Sequence, residues 1–93
     1  MRIAEHHGVP PLGVLDIGSN TVRLVLFRKQ STDLEPAWAN WREVFNMREP
    51  CRLGEGLAAT GEMKPANLAH AFRAIRDFRR ALAESAPDAY IDV

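Results

Sequence analysis

Apolar residues along the chain are spaced for strands in the N-terminal half and for a helix in the C-terminal half. Leu12-Gly13-Val14-Leu15-Asp16, then Ile17-Gly18-Ser19-Asn20, then Thr21-Val22-Arg23-Leu24-Val25-Leu26-Phe27 reads as strand, turn, strand, a β-hairpin. In the second strand Val22, Leu24 and Leu26 share one face and Arg23, Val25 and Phe27 the other. Both faces are then partly covered, which predicts a central strand. Arg28 to Asn40 is polar, with Ser31, Thr32, Asp33 and Pro36, and predicts a loop before Trp41 to Met47 resumes an extended pattern as a third strand. From Glu49 to Lys64 the residues Pro50, Gly54, Gly56 and Gly61 break any period, which predicts a long loop. Pro65 suits a first helical position, and Leu68, Ala71, Phe72, Ile75, Phe78 and Leu82 recur at three- and four-residue steps as one apolar stripe. Pro87 ends that helix, and Tyr90-Ile91-Asp92-Val93 is extended again. The order is βββαβ, an α/β class in which one long amphipathic helix covers a mixed sheet.

Composition adds bounds rather than direction. The chain has 93 residues, 46% hydrophobic and 26% charged, values of a soluble globular domain rather than a disordered or fibrous chain. Lys plus Arg and Asp plus Glu number 12 each, so bulk charge argues for neither nucleic acid nor an anionic membrane as partner. The single Cys51 makes no internal disulfide, and no cysteine and histidine cluster has zinc-site spacing. The lead from Met1 to Pro11, with Arg2, Glu5, His6 and His7, lacks the apolar stretch of a signal peptide. No run approaches a membrane span. A cytoplasmic setting is the expectation.

The chemistry concentrates in the first turn. Asp16 closes a strand, and Gly18-Ser19-Asn20-Thr21 follow, which places a carboxylate, two hydroxyls, an amide and free backbone N–H groups around one point. Gly18 permits a positive φ and close approach of an anion, and successive N–H groups in such a turn form an anion nest. Ser19, Asn20 and Thr21 add donors, Arg23 a charge-assisted contact. Asp16 repels phosphate and is better suited to hold a hydrated cation. The same residues are also ordinary hairpin-turn chemistry, so the pattern alone leaves both readings open.

Leu15-Asp16-Ile17-Gly18-Ser19-Asn20-Thr21-Val22-Arg23-Leu24 resembles the first phosphate motif of the exopolyphosphatase and guanosine pentaphosphate phosphohydrolase family. Arg52-Leu53-Gly54-Glu55-Gly56-Leu57, followed by Thr60-Gly61, resembles that family's segment between its third strand and first helix. The resemblance covers residues 12–93 and implies part of the first lobe of a two-lobed actin-like domain, each lobe ribonuclease-H-like. Residues 1–11 are then a polar lead and 12–93 a truncated first lobe. It implies that Gly18, Ser19, Asn20, Thr21, Arg23 and Arg52 bind phosphate. Asp16 would stand on the Mg²⁺ side, and Gly54 and Glu55 would belong to the substrate cleft. Polyphosphate or guanosine pentaphosphate is the implied partner. The family's water-activating glutamate and second phosphate loop fall beyond the position of Val93, so the chain is expected to contain no catalytic residue and to be inactive alone.

Other features weigh less. Arg52 and Glu55 also read as solvated surface charges. Arg73, Arg76 and Arg80, with Asp77 between them, read as a solvated helix face. Trp38 and Trp41 read as cover for a sheet edge or a subunit surface. His6 and His7 make a poor metal site because adjacent side chains diverge. Cys51 lacks a base and is rejected as a nucleophile. A non-catalytic anion-binding or interaction module is the alternative function, and a phosphotransferase of the same superfamily ranks below it. An unpaired terminal strand predicts self-association through the sheet edge.

Overall fold

The computed structural model of the chain describes residues 9–93. The pair His6 and His7, and most of the lead expected over residues 1–11, lie outside them. Strands β1 (Leu12–Ile17), β2 (Thr21–Lys29) and β3 (Trp41–Pro50) are followed by a short helix α1 (Leu57–Thr60), a long helix α2 (Pro65–Ser85) and a strand β4 (Tyr90–Asp92). A 3₁₀ turn at Ala37–Asn40 precedes β3. The sheet order is β3-β2-β1-β4. β1 and β3 pair antiparallel with β2, and β4 pairs parallel with β1. The sheet is therefore mixed, with β2 inside it as its two-sided apolar pattern predicts.

Register explains which residues share a face. Leu15 stands opposite Leu24 and Ile17 opposite Val22 across β1 and β2, while Met47 stands opposite Leu24 and Phe45 opposite Leu26 across β3. Val22, Leu24 and Leu26 are the buried centre of this face, and Ala71, Ala74, Phe78 and Leu82 of α2 close over it. The stripe differs from the expected one at one place: Phe72 is 60% exposed, whereas Ala74 is buried. A narrow face carrying two alanines lets the helix backbone lie close to the sheet, and Phe72 falls just outside that face. The N-terminus of α2 has Pro65 in its first turn, and at its C-terminus the Ala86 N–H bonds the Leu82 carbonyl at 2.7 Å. Pro87 prevents continuation.

Two expectations shift. β3 runs on to Pro50 rather than ending at Met47, because its pairing with β2 continues through Arg48 and Glu49 to Thr21 opposite Pro50. The glycine-rich stretch after it is not wholly loop, since α1 forms between Gly56 and Gly61, both at φ 75°. Left-handed glycines bracket a single helical turn without strain.

On the opposite face Leu12, Phe27, Trp38 and Trp41 line an open apolar pocket of about 330 Å³, and Lys29 Nζ lies 5.9 Å from the centre of the Trp41 ring. Trp41 thus lies over this face of the sheet with Leu12 and Phe27, while Trp38 is largely exposed. The β2–β3 connection is organised by buried Asn40. Its side chain accepts the Leu34 N–H at 2.9 Å and donates to the Leu34 and Ala37 carbonyls at 3.1 and 2.9 Å. No helix among the described residues is long and apolar enough to cross a membrane.

Candidate functional site

The sheet register brings the two glycine motifs together. Thr21 begins β2 opposite Pro50, the last residue of β3. The chain leaving β3 must therefore pass the turn that joins β1 to β2. It docks there through its backbone: the Arg52 N–H donates to the Asn20 carbonyl at 2.9 Å, and the Gly54 N–H donates to the Ser19 carbonyl at 2.7 Å. The turn itself is held by the Gly18 N–H on the Thr21 carbonyl at 3.0 Å.

This docking fixes the polarity of the turn. In a trans peptide the C=O and N–H point in opposite directions. With the Ser19 carbonyl aimed at the second loop, the Asn20 N–H of the same peptide is aimed away from it, and the Asn20 carbonyl orients the Thr21 N–H in the same way. Ser19 and Asn20 are exposed, and neither N–H has a backbone acceptor among the described residues. An exposed turn whose carbonyls are tied down and whose amides are free presents donors outward, the arrangement an anion requires. The side chains of Ser19, Asn20 and Thr21 add donors at the same place.

The glycines work differently from the sequence expectation. Gly18 does not adopt the left-handed conformation, which among the described residues belongs to Arg52 (φ 54°), Gly56 and Gly61. Space is what Gly18 and Gly54 provide. A Cβ on Gly18 would lie 3.1 Å from the Thr21 carbonyl oxygen, and one on Gly54 would lie 3.1 Å from Ser19 Cβ and 3.4 Å from the Ser19 carbonyl oxygen. Gly54 is thus a point of close approach between the two loops.

Arg52 is held in its strained backbone by several contacts. A left-handed non-glycine residue costs about 1–2 kcal/mol, so its neighbours must over-determine it. Its carbonyl accepts the Glu55 N–H at 3.0 Å and Asn67 Nδ2 at 2.9 Å. Its guanidinium is exposed, with Nη1 3.8 Å from Glu55 Oε2. Glu55 is in turn bound by Lys64 Nζ at 2.6 Å. The Lys64 hydrogen bond, then its charge, and more weakly Arg52 and Asn67, hold the Glu55 carboxyl below its ordinary range. Sequence reasoning named Arg52 and Glu55 but neither Lys64 nor Asn67. Asn67 is the single polar residue in the first turn of α2, Pro65-Ala66-Asn67-Leu68, and its type does not reveal a contact made 15 residues away.

Asp16 and Arg23 face each other across the β1–β2 ladder, both exposed. This places them beside the turn on the side of the sheet away from α2. No group of three or more histidine, cysteine or carboxylate side chains among the described residues could hold a metal ion. Cys51 is buried, its thiol pushed up by burial and by the Glu49 charge against a weaker opposing hydrogen bond from the Val22 backbone. A buried protonated thiol is inert, in keeping with its rejection as a nucleophile. Glu49 Oε1 also lies 2.9 Å from His70 Nε2, tying β3 to α2.

Comparison with known proteins bears on the fold. The crystal structure of the type II variant of the Aquifex aeolicus Ppx/GppA phosphatase matches 82% of this chain with a TM-score of 0.67 and 16% sequence identity. The match takes in 23% of that phosphatase chain, so this chain spans less than a quarter of it. No family profile and no curated protein matches the chain. With a mixed four-stranded sheet and a single long helix among the described residues, the chain shares the fold of part of a Ppx/GppA phosphatase, one of its structural neighbours.

Proposed function

We propose that this chain is the phosphate-binding part of the first lobe of a phosphoanhydride hydrolase, with inorganic polyphosphate or the phosphate tail of guanosine pentaphosphate as substrate class. One observation carries the reading: the second glycine loop ties down the carbonyls of Ser19 and Asn20 and leaves an exposed turn whose Ser19 and Asn20 amides have no backbone acceptor among the described residues. The fold shared with a Ppx/GppA phosphatase supports it. In this reading the amides and hydroxyls of Ser19, Asn20 and Thr21 hold a terminal phosphate, and Gly18 and Gly54 keep the backbone compact around it. Arg52 and Arg23 offset its charge, because guanidinium groups pair well with phosphate oxygens.

Asp16 fits Mg²⁺ in a limited sense. Mg²⁺ takes one or two carboxylates and fills its shell with water and substrate phosphates, and Asp16 supplies one exposed carboxylate beside the turn. The bound ion would offset charge on the phosphoryl group. Glu55 is engaged by Lys64 and Arg52, so it serves the loop rather than a water molecule. We assign water activation to a glutamate in the larger portion of such a phosphatase that this chain does not span. The alternative, an anion-binding module without chemistry, draws on the same engagement of Glu55. A reducing cytoplasm suits the buried thiol of Cys51, and β4, with Tyr90 and Ile91 exposed, is the edge proposed for self-association.

Calorimetric titration of the chain with tripolyphosphate tests the reading. Mg²⁺ is expected to raise the affinity about tenfold, or 1.4 kcal/mol, and Asp16→Ala to remove that increment while leaving Mg²⁺-free binding in place. Absence of binding by the folded chain refutes the phosphate site. Release of phosphate that Asp16→Ala abolishes refutes catalytic incompleteness.

A further inference from the structure

Asn67 is the third residue of α2, beyond the N-cap position Lys64 at which an asparagine side chain would cap its own helix. Here Nδ2 leaves the helix and donates to the Arg52 carbonyl at 2.9 Å. That carbonyl has a second donor, the Glu55 N–H at 3.0 Å, which belongs to the same loop and moves with it. Asn67 is different because it is anchored elsewhere. α2 is fixed on the sheet through buried Ala71, Ala74 and Phe78, so the Asn67 bond refers the loop to the rigid part of the molecule. The residue it grips is also the one non-glycine residue with a positive φ among those described. Two residues later, Gly54 makes its 2.7 Å bond to Ser19.

We propose that Asn67 is a positioning residue for the anion site. By holding the Arg52 carbonyl it maintains the left-handed turn that docks the second loop on the Ser19 and Asn20 carbonyls, and so keeps the Asn20 amide turned outward for an anion. The proposal rests on the phosphate reading above for the identity of the anion. Glu55, the partner of the Arg52 guanidinium, is held chiefly by Lys64, so the Asn67 contact acts on the Arg52 carbonyl. That contact does not place Asn67 against the ligand itself. Its effect passes through Arg52 and Gly54.

Hydrogen exchange of individual amides, read by NMR, separates this role from general stabilisation of α2. The Arg52 and Gly54 amides report the docking bonds directly, and the β2 amides of Leu24 and Leu26 report the core. In Asn67→Ala, exchange at Arg52 and Gly54 is expected to accelerate at least about fivefold while Leu24 and Leu26 stay unchanged. Affinity for tripolyphosphate should fall about fivefold in parallel. Asn67→Asp, which keeps the size but loses the donor, should behave alike. Glycine adopts φ 54° without strain, so Arg52→Gly should make Gly54 exchange indifferent to Asn67→Ala, as expected for two residues acting as one unit. Uniform acceleration at all four amides, or none at Arg52 and Gly54, overturns the proposal. If the wild-type chain fails to bind tripolyphosphate, the phosphate reading fails, and exchange alone then decides whether Asn67 positions the loop.

Discussion

Gly54→Val should reduce tripolyphosphate affinity at least about tenfold and destabilise the chain by about 1–3 kcal/mol, the usual cost of forcing atoms into a filled contact. The argument is steric. Even a single Cβ at this position would sit 3.1 Å from Ser19 Cβ and 3.4 Å from the Ser19 carbonyl oxygen. A branched side chain must push the second loop off the turn, breaking the Gly54–Ser19 bond and freeing the Ser19 carbonyl to face solvent. An anion would then meet a carbonyl dipole where it had met amides. Gly61→Ala is the control. Gly61 has φ 75° and open space around its missing Cβ, so the substitution carries a backbone cost of about 1 kcal/mol with no effect on the loops. Titration calorimetry and urea unfolding of both variants check this. Equal loss of affinity in the two would show that general destabilisation, not docking, governs binding.

Leu26→Ala should have the largest effect on folding. Leu26 is 1% exposed and sits at the centre of β2, under α2 and opposite Phe45. Removing a buried leucine side chain costs about 2–5 kcal/mol in lost burial and cavity formation. A chain of this size has about 5–14 kcal/mol in all, so a large share of its stability depends on this one side chain. Urea unfolding followed by circular dichroism should show the midpoint falling by at least about 1 M, with m near its wild-type value. Phe72→Ala, a larger truncation at a residue 60% exposed, should change stability by less than about 0.5 kcal/mol. A bigger effect at Phe72 than at Leu26 would contradict the placement of the helix face.

These two positions also mark how far the sequence could be read. The hairpin and the central role of β2 follow from alternation, because Val22, Leu24 and Leu26 form a buried face whatever covers them. The helix follows from its period, and its ends from Pro65 and Pro87. Its exact face does not, because hydrophobicity ranks Phe72 above Ala74, whereas packing against a sheet rewards the smaller residue. The last three residues of β3 are hidden by Arg48, Glu49 and Pro50, whose strand conformation is imposed by the ladder to β2 rather than by their own preferences. The helix α1 is too short to show a period.

At the site, residue types were legible and their arrangement was not. Asp16, Gly18, Ser19, Asn20 and Thr21 are adjacent, so their grouping is local. That Arg52 and Gly54 meet them depends on Thr21 pairing with Pro50, a contact between residues far apart in sequence. The left-handed conformation was expected at Gly18, the residue best able to adopt it, yet it occurs at Arg52, where Asn67 and Glu55 compensate for it. Glycine at positions 18 and 54 answers a need for space that only the folded backbone reveals.

The central claim is that two loops, distant in sequence, form one anion site. A single NMR titration of the chain with tripolyphosphate tests it by following the Ser19 and Asn20 amides together with those of Arg52 and Gly54. The account predicts that all four shift along one saturation curve with one dissociation constant, while the Leu24 and Leu26 amides stay in place. Shifts confined to Arg52, or no shifts in a folded sample, would contradict it and leave the first turn as a hairpin connection alone.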